Sequence, residues 1–387
     1  MLSIKELKTH IFIIMGTEHY NPLGVVRSLG ENGIKPILIV QKSKIRTASL
    51  SKYCKKTHYV NNNQEALDVL LKNYGNETTK PFVIPCEDSI TEVLDKNYEL
   101  LKDKFYVNNA GSNGRISEFT NKRNLCELAR KHGCNIAKSW PVKKGEMPKD
   151  IEFPIITKPM TSYPGWKKDY YVCNNEEELI QAYSKITGEE ILLQQYIQKV
   201  NELCLDGCVV NKGKAVFVAI ASTYTYTMPD SYPMEMEVKN FRDDKLRKIL
   251  GDMFSDVCYE GIFSVEFMID KDNKLWFLEI NFRNSTWSWA STRLGMNLPI
   301  LWANGMITGQ IDVENATKQI PEHYIALSEA QDFRHRVLRL KLISFSQWLK
   351  GVLKANCHYL WYYKDPLPGL NYWFCLFFRF ISKRIKK

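Results

Sequence analysis

The chain has 387 residues, 44% of them hydrophobic and 25% charged, with 53 Lys and Arg against 43 Asp and Glu for a net charge of +10. This balance fits a folded protein of two or three domains with a substantial core and excludes a disordered or low-complexity chain. The excess positive charge leaves nucleic acid, a membrane surface or acidic substrates open as partners.

The N-terminal stretch MLSIKELKTHIFIIMG has an apolar run of only about six residues and no small-residue cleavage site, so it reads as a first buried strand and not as a signal peptide. Ile11–Met15 is that strand. Leu23–Asn32 follows as a helix closed by Gly33, and Ile37–Val40 is a second apolar strand. Strand, loop, helix and strand in this order predict a parallel α/β unit, with ligands expected at the carboxyl ends of its strands, near 16–21. No G-x-G-x-x-G is present, so no dinucleotide site is expected. Phe82–Pro85 is another short strand. It leads through Glu87 and Asp88 into a helix over Ser89–Leu101, with Ser89 and Glu92 spaced as a capping box. Capping explains Asp88 as well as substrate binding does.

Thr120–Gly133 is a helix closed by glycine and carrying Lys122. Pro154–Pro159 (PIITKP) is a strand with Lys158 at its end, flanked by apolar residues. Met160–Val172 is a loop holding only Gly165, with Ser162, Lys167 and Lys168 as polar contributors, and Glu176–Ala182 is a helix. Ile191–Ile197 (ILLQQYI) is an apolar strand that precedes Glu202. Leu203–Val210 and Ala215–Ala221 form a hairpin turned at 211–214. The Tyr-, Met- and Pro-rich stretch Ser222–Glu237 reads as a long loop bordering a second-substrate site. Lys239 and Arg242 follow it, and Asp243–Tyr259 is a helix.

The most informative stretch is Gly261–Arg283, GIFSVEFMIDKDNKLWFLEINFR. Phe263, Val265, Phe267 and Ile269 alternate as in a strand, 270–274 is a turn, and 275–280 returns. The hairpin can bring Glu266, Glu279 and Asn281 to one face. Buried carboxylates repel unless a cation joins them, and hard oxygen donors of this kind suit Mg²⁺ or Mn²⁺. Read singly, each acid is an ordinary solvated side chain.

The run Glu-x-Asn-x-Arg on a strand, with another acid thirteen residues before its Glu, resembles the ATP-grasp superfamily. Its continuation, Glu279–Pro299, looks most like the carbamoyl-phosphate-synthase-like branch that includes D-aspartate ligases. The resemblance implies three parts. An N-terminal parallel α/β pre-ATP-grasp domain would occupy residues 1–118. An ATP-grasp domain would occupy 119–310, with a lid over about 130–193 and an antiparallel-sheet core over 194–310. A helical, basic and aromatic extension would occupy 311–387. The resemblance also implies roles. Glu266, Glu279 and Asn281 would hold the metal. Lys122 and Lys158 would meet the ATP phosphates, as Lys239 could from beyond the long loop. Gln194, Gln195, Tyr196 and Ile197 would line adenine, and Glu202 would take the ribose hydroxyls. Arg283 would stabilise the transferred phosphoryl group with Lys158, and Arg293 is a candidate for a substrate carboxylate. The family's glycine- and serine-rich flap is replaced here by the glycine-poor Met160–Val172. The implied activity is an ADP-forming carboxylate–amine ligase with ATP and Mg²⁺, one substrate being an amino acid. A non-catalytic ATP-binding protein, or a related enzyme that transfers phosphoryl or carboxylates, is the alternative.

The ten cysteines (Cys54, Cys86, Cys126, Cys134, Cys173, Cys204, Cys208, Cys258, Cys357 and Cys375) lack any C-x-x-C pair, which argues against zinc and for reduced thiols in the cytoplasm. The tail alternates basic and apolar residues over Phe333–Lys354. After Pro366–Gly369 it ends in NYWFCLFFRFISKRIKK, with five basic residues and no acid. Its apolar run of about eight cannot span a bilayer. An interfacial anchor on an anionic leaflet and a terminal helix packed on the core both fit, whereas no nucleic-acid motif accompanies the charge.

Overall fold

The computed structural model describes residues 3–159, 169–228 and 232–385. The chain divides into two compact units, one of Met1–Gly133, Glu202–Phe267 and Leu278–Lys387, the other of Cys134–Asn201 and Met268–Phe277.

The first unit holds two sheets. The N-terminal one is built from β1 (Phe12–Thr17), β2 (Ile37–Gln41), β3 (Lys56–Val60), β4 (Phe82–Pro85) and β5 (Tyr106–Val107), all parallel, in the order β3-β2-β1-β4-β5. Alternation along β1 serves both faces. Phe12 and Ile14 join one apolar cluster with Leu23, Val26 and Leu29, while Ile13 and Met15 join another with Leu67, Leu70, Ile90 and Leu94. A strand covered on both sides must be apolar throughout, which is why FIIM reads as an unbroken run. The strand order reverses between β1 and β4, and in such sheets the crevice at the carboxyl ends of the two flanking strands is where ligands bind.

The helix after β1 runs Tyr20–Gly30, three residues earlier than expected at its start, and Gly33 turns the chain beyond it at φ +74°. The expected helix over Ser89–Leu101 is two short ones, Asp88–Lys96 and Tyr98–Leu101. Its capping box is absent: Glu87 occupies the cap position without a side-chain cap bond, and Glu92 pairs with Lys96 instead. Thr120–Gly133 likewise divides at Asn121, whose side chain caps a helix over Lys122–Lys131.

The second unit's sheet contains β6 (Ser139–Lys143), β7 (Ile155–Pro159), β8 (Val172–Cys173) and β9 (Glu190–Gln195), in the order β6-β9-β7-β8, with the helix Glu176–Lys185 packed on it through Leu179, Ala182 and Tyr183. Met160–Lys168, which carries Ser162, Gly165, Lys167 and most of the expected phosphate flap, lies outside the described residues.

The large sheet is ordered β14-β13-β10-β11-β12-β15-β16, from β10 (Lys199–Val210), β11 (Ala215–Tyr224), β12 (Glu235–Lys239), β13 (Gly261–Asp270), β14 (Leu275–Asn281), β15 (Tyr324–Leu327) and β16 (Cys357–His358). The stretch Ser222–Glu237 is therefore not one loop. Ser222–Tyr224 continue β11, and Glu235 already begins β12 with Met236↔Tyr224 in register. The register of β10 on β11 shifts between Asp206 and Gly207. A Cβ on Gly207 would lie 2.2 Å from the Phe217 carbonyl oxygen, so only glycine lets the two backbones meet there.

The last helix spans Leu367–Ile385. It begins before the expected break, because Pro368 falls in its first turn, where a missing N–H costs nothing. Arg27, buried, ties the helix Tyr20–Gly30 to this region: Nε donates to Asp365 Oδ2 at 3.0 Å, Nη1 to the Tyr359 carbonyl and Nη2 to those of Leu360 and Asp365. Among the described residues no helix is long and apolar enough to cross a membrane.

Candidate functional site

Three adjacent strands of the large sheet place acids together. On β10 the alternate residues Glu202, Cys204 and Asp206 are all buried. On β13, Ser264 and Glu266 follow the same alternation, and β14 contributes Glu279 and Asn281. Nδ2 of Asn281 bridges the two glutamates, donating to Glu266 Oε1 at 3.1 Å and to Glu279 Oε1 at 3.4 Å. A flip of that amide would present its oxygen to the same space. The Asn281 oxygen accepts from Arg283 Nη2 at 3.0 Å.

Arg283 also forms a two-pronged pair with Asp88, at 2.8 Å from Nε to Oδ1 and 3.1 Å from Nη2 to Oδ2. Asp88 stands at the carboxyl end of β4. Beside it Glu87 accepts from the Thr17 hydroxyl at the end of β1. Asn21 completes this junction, donating to the Cys86 and Asn284 carbonyls at 2.9 and 3.0 Å. The switch point of the parallel sheet and the acidic face of the antiparallel one are thus joined through one arginine.

Burial beside like charges dominates the electrostatics. Desolvation, followed by Glu279, Glu202 and Asp206, pushes the Glu266 carboxyl up to about 8, with Arg283 only partly opposing. Burial raises Asp206 to about 6 despite hydrogen bonds from Ser285 and Ser264. The Cys204 thiol is driven well up by burial and by the same acids. Glu266 and Glu279, bridged by one amide and with Arg283 already forked to Asp88, want a further cation, so the donor set fits a divalent metal ion held by hard oxygens. Among the described residues no three His, Cys, Asp or Glu side chains converge as metal ligands, so the candidate set is two carboxylates and an amide.

The other expected residues, Glu202 apart, fall elsewhere. In the second unit, Lys158 Nζ donates to Gln194 Oε1 at 2.6 Å, and Gln194 in turn donates to Ser139. Gln195 exchanges bonds with the Lys138 backbone, the Tyr196 N–H donates to the Pro154 carbonyl, and Ile197 is half-buried just past the end of β9. In the first unit, Lys122 is exposed at the first turn of its helix, Lys239 is paired with Glu237 at 2.8 Å, and Arg242 is exposed. Glu202 lies inside the acid cluster, not on the surface. Arg293 is taken up by Tyr362, to whose hydroxyl it donates at 3.2 Å while lying 4.9 Å over its ring.

Sequence reasoning missed Asp206 and Thr17. The signal for Asp206 was available: it stands four residues after Glu202 in an otherwise apolar strand, on the same face. Nothing local marks Thr17, whose role depends on β4 lying beside β1.

This architecture is the ATP-grasp fold. The structure superposes on the N5-carboxyaminoimidazole synthetase of Staphylococcus aureus with a TM-score of 0.62 at 15% identity, over 86% of each chain. For an L-amino acid ligase from Bacillus licheniformis the TM-score is 0.57 at 13% identity, over 77% of this chain and 74% of that one. For a biotin carboxylase from Campylobacter jejuni it is 0.60 at 17% identity, over 84% and 75%. In sequence, the N5-carboxyaminoimidazole ribonucleotide synthase of Staphylococcus epidermidis is 25% identical over 131 residues, and the matched stretch spans 34% of either chain, about a third of that relative's length. No protein-family model matches the chain.

Proposed function

We propose that the chain is an ADP-forming, Mg-ATP-dependent ligase that joins a carboxylate to an amine. The observation that carries this reading is the Glu266–Asn281–Glu279 bridge with Arg283 beside it; the relatives of the same fold, named as synthetases, ligases and carboxylases, support it.

In this reading Glu266, Glu279 and Asn281 would hold Mg²⁺, which when bound offsets phosphate charge. Lys122, Lys158 and Lys239 would be the phosphate-binding lysines, as the family resemblance implies. Gln194–Ile197 seat the base, and Glu202 the ribose. A substrate carboxylate oxygen attacks the γ-phosphorus as the bond to the β-phosphate oxygen breaks, giving an acyl phosphate and ADP. Arg283 would give its planar donors to the transferred group in place of Asp88. The amine nitrogen then attacks the acyl carbon, inorganic phosphate leaves with the C–O bond pair, and the nitrogen loses a proton to water. No protein nucleophile is needed; the work is positioning and charge.

The amine or the carboxylate is an amino acid, and the acceptor a glycan or other cell-surface precursor handled in the cytoplasm at the inner membrane face. A second reading has bicarbonate as the carboxylate, supported by the relatives' names, which specify carboxyamino and carboxylase chemistry. A non-catalytic nucleotide-binding protein is the remaining alternative.

The test is ADP release by the full-length protein with Mg-ATP, offered L- and D-amino acids with and without uronic-acid and cell-wall precursors, and separately bicarbonate with amines. Glu279→Gln serves as the control. Release that needs one substrate pair and vanishes in the variant is expected. Near-normal turnover in Glu279→Gln would overturn the metal assignment, and ATP binding without release under any pair would leave the non-catalytic reading.

A further inference from the structure

The chain's positive charge is concentrated in one place. Of its 53 Lys and Arg and 43 Asp and Glu, residues 333–387 hold twelve and one, so the remainder, with 41 and 42, is close to neutral. The single acid in this stretch, Asp365, is buried against Arg27, Ser51 and the Lys52 N–H, and so neutralises nothing at the surface.

The same stretch carries apolar side chains that the fold leaves outside. On the last helix Leu367, Leu370, Phe374, Phe377 and Phe378 are each at least half exposed. At 3.6 residues per turn they fall within about a third of the helix circumference, so they form one stripe. On the helix Phe345–Lys354, Phe345, Leu349 and Leu353 are exposed at one-turn and two-turn spacing, with Lys350 and Lys354 flanking them.

Between these elements lies a cavity of about 330 Å³, walled by Trp348, Val352, Leu353, Trp361 and Trp373. Leu353, 77% exposed, and Trp361, 44% exposed, place its mouth at the surface. Its two polar wall groups are already engaged. The Glu329 carboxylate accepts from the N–H groups of Tyr359, Leu360 and Trp361, and His358 bonds the Val352 carbonyl. What remains open to an occupant is hydrocarbon and indole. The volume is roughly twice that of an apolar cavity that takes benzene, enough for the end of an acyl or prenyl chain. Trp373 packs edge-on against Phe333 and Trp348, at 5.6 and 5.8 Å, and stands beside the exposed stripe on its own helix, so pocket and stripe are continuous.

We propose that residues 333–385 form a membrane-docking module that lies on an anionic bilayer and takes the hydrocarbon chain of one anionic lipid into the Trp348–Trp361–Trp373 pocket. The occupant follows from the charge: an exposed apolar stripe in a stretch with twelve Lys and Arg and one acid fits the acyl boundary beneath anionic headgroups. A second copy of this chain would bring the same positive field against itself. The proposal deepens the inner-membrane placement above and does not depend on the ligase chemistry.

Flotation of the full-length protein with phosphatidylcholine vesicles, and with vesicles containing roughly a third phosphatidylglycerol, tests it. Binding is expected to the anionic vesicles alone and to fall with added salt. The exposed double variant Phe374→Ser/Phe377→Ser should bind at least about tenfold more weakly, with an unchanged circular dichroism spectrum and melting temperature. Equal flotation of variant and wild type, or equal binding to neutral vesicles, overturns the proposal. Chain-brominated phosphatidylglycerol should quench tryptophan fluorescence, with a component that disappears in Trp361→Phe; quenching identical in that variant overturns the pocket. ADP release with soluble substrates is read in parallel, so that failure of the ligase reading and failure of docking are separately visible.

Discussion

Replacing Glu266 by glutamine should make the metal-free protein more stable and at the same time abolish its use of Mg-ATP. In the folded chain the Glu266 carboxyl holds its proton up to about 8, because it is buried beside Glu279, Glu202 and Asp206; its ordinary value is 4.5. The folded state therefore binds this proton more tightly than the unfolded one. Its contribution is fully present below pH 4.5 and is lost as pH rises toward 8. At 1.36 kcal/mol per pH unit, the penalty reaches about 4 kcal/mol near pH 7.5, a ceiling that side-chain relaxation and water entry reduce. Glutamine keeps the shape and an acceptor for Asn281 without the charge. Urea unfolding in EDTA at pH 5.5 and at pH 8 measures it. Wild type should lose stability between the two, and Glu266→Gln should lose markedly less and exceed wild type at pH 8. Saturating Mg²⁺ should narrow the gap by stabilising wild type alone. Equal stability of the two proteins at pH 8 without metal, or a gap that does not change with pH, would refute the account of these acids as a self-repelling cation site.

Arg27→Ala should cost about 3–5 kcal/mol, since it strands Asp365 as a buried charge with only Ser51 and the Lys52 N–H beside it; a midpoint shift in urea of under about 1 kcal/mol would contradict that. Arg283→Lys keeps the charge but loses the fork to Asp88 and Asn281. It should lower kcat by roughly a hundredfold while leaving the melting temperature nearly unchanged, and unaltered kcat would remove Arg283 from the phosphoryl step. Burial pushes His19 down to about 4, so its neutral form stabilises the fold above pH 6.5 and that stability fades as pH falls toward 4, by at most about 3 kcal/mol. His19→Gln should flatten the acid limb of the stability profile, and an unchanged limb would place the acid sensitivity elsewhere.

Much of the frame was legible because its period is local. The strands at Phe12–Thr17, Ile37–Gln41 and Phe82–Pro85 announce themselves as apolar runs, and the hairpin that holds Glu266, Glu279 and Asn281 follows from alternation and a polar turn. Boundaries were less legible where a cap or a turn decided them. Asn121 divides one expected helix, and Pro368 sits in the first turn of a helix where a break seemed due, because proline's effect depends on whether its N–H would have been used.

What the chain alone determined is which residue types recur at which spacing: buried strands, an acid–amide–arginine run, and a basic aromatic tail. Spacing along one strand cannot say which other strand lies beside it, so only the tertiary structure decided that Asp206 and Glu202 join Glu266. The same holds for the meeting of Arg283 with Asp88 across 195 residues of sequence, and for the closure of Arg27 on Asp365 across 338. Tertiary structure also decided which of the tail's aromatics are covered. Tyr372 and Phe374 differ little in hydrophobicity, but helix phase against the core buries the first and leaves the second in solvent.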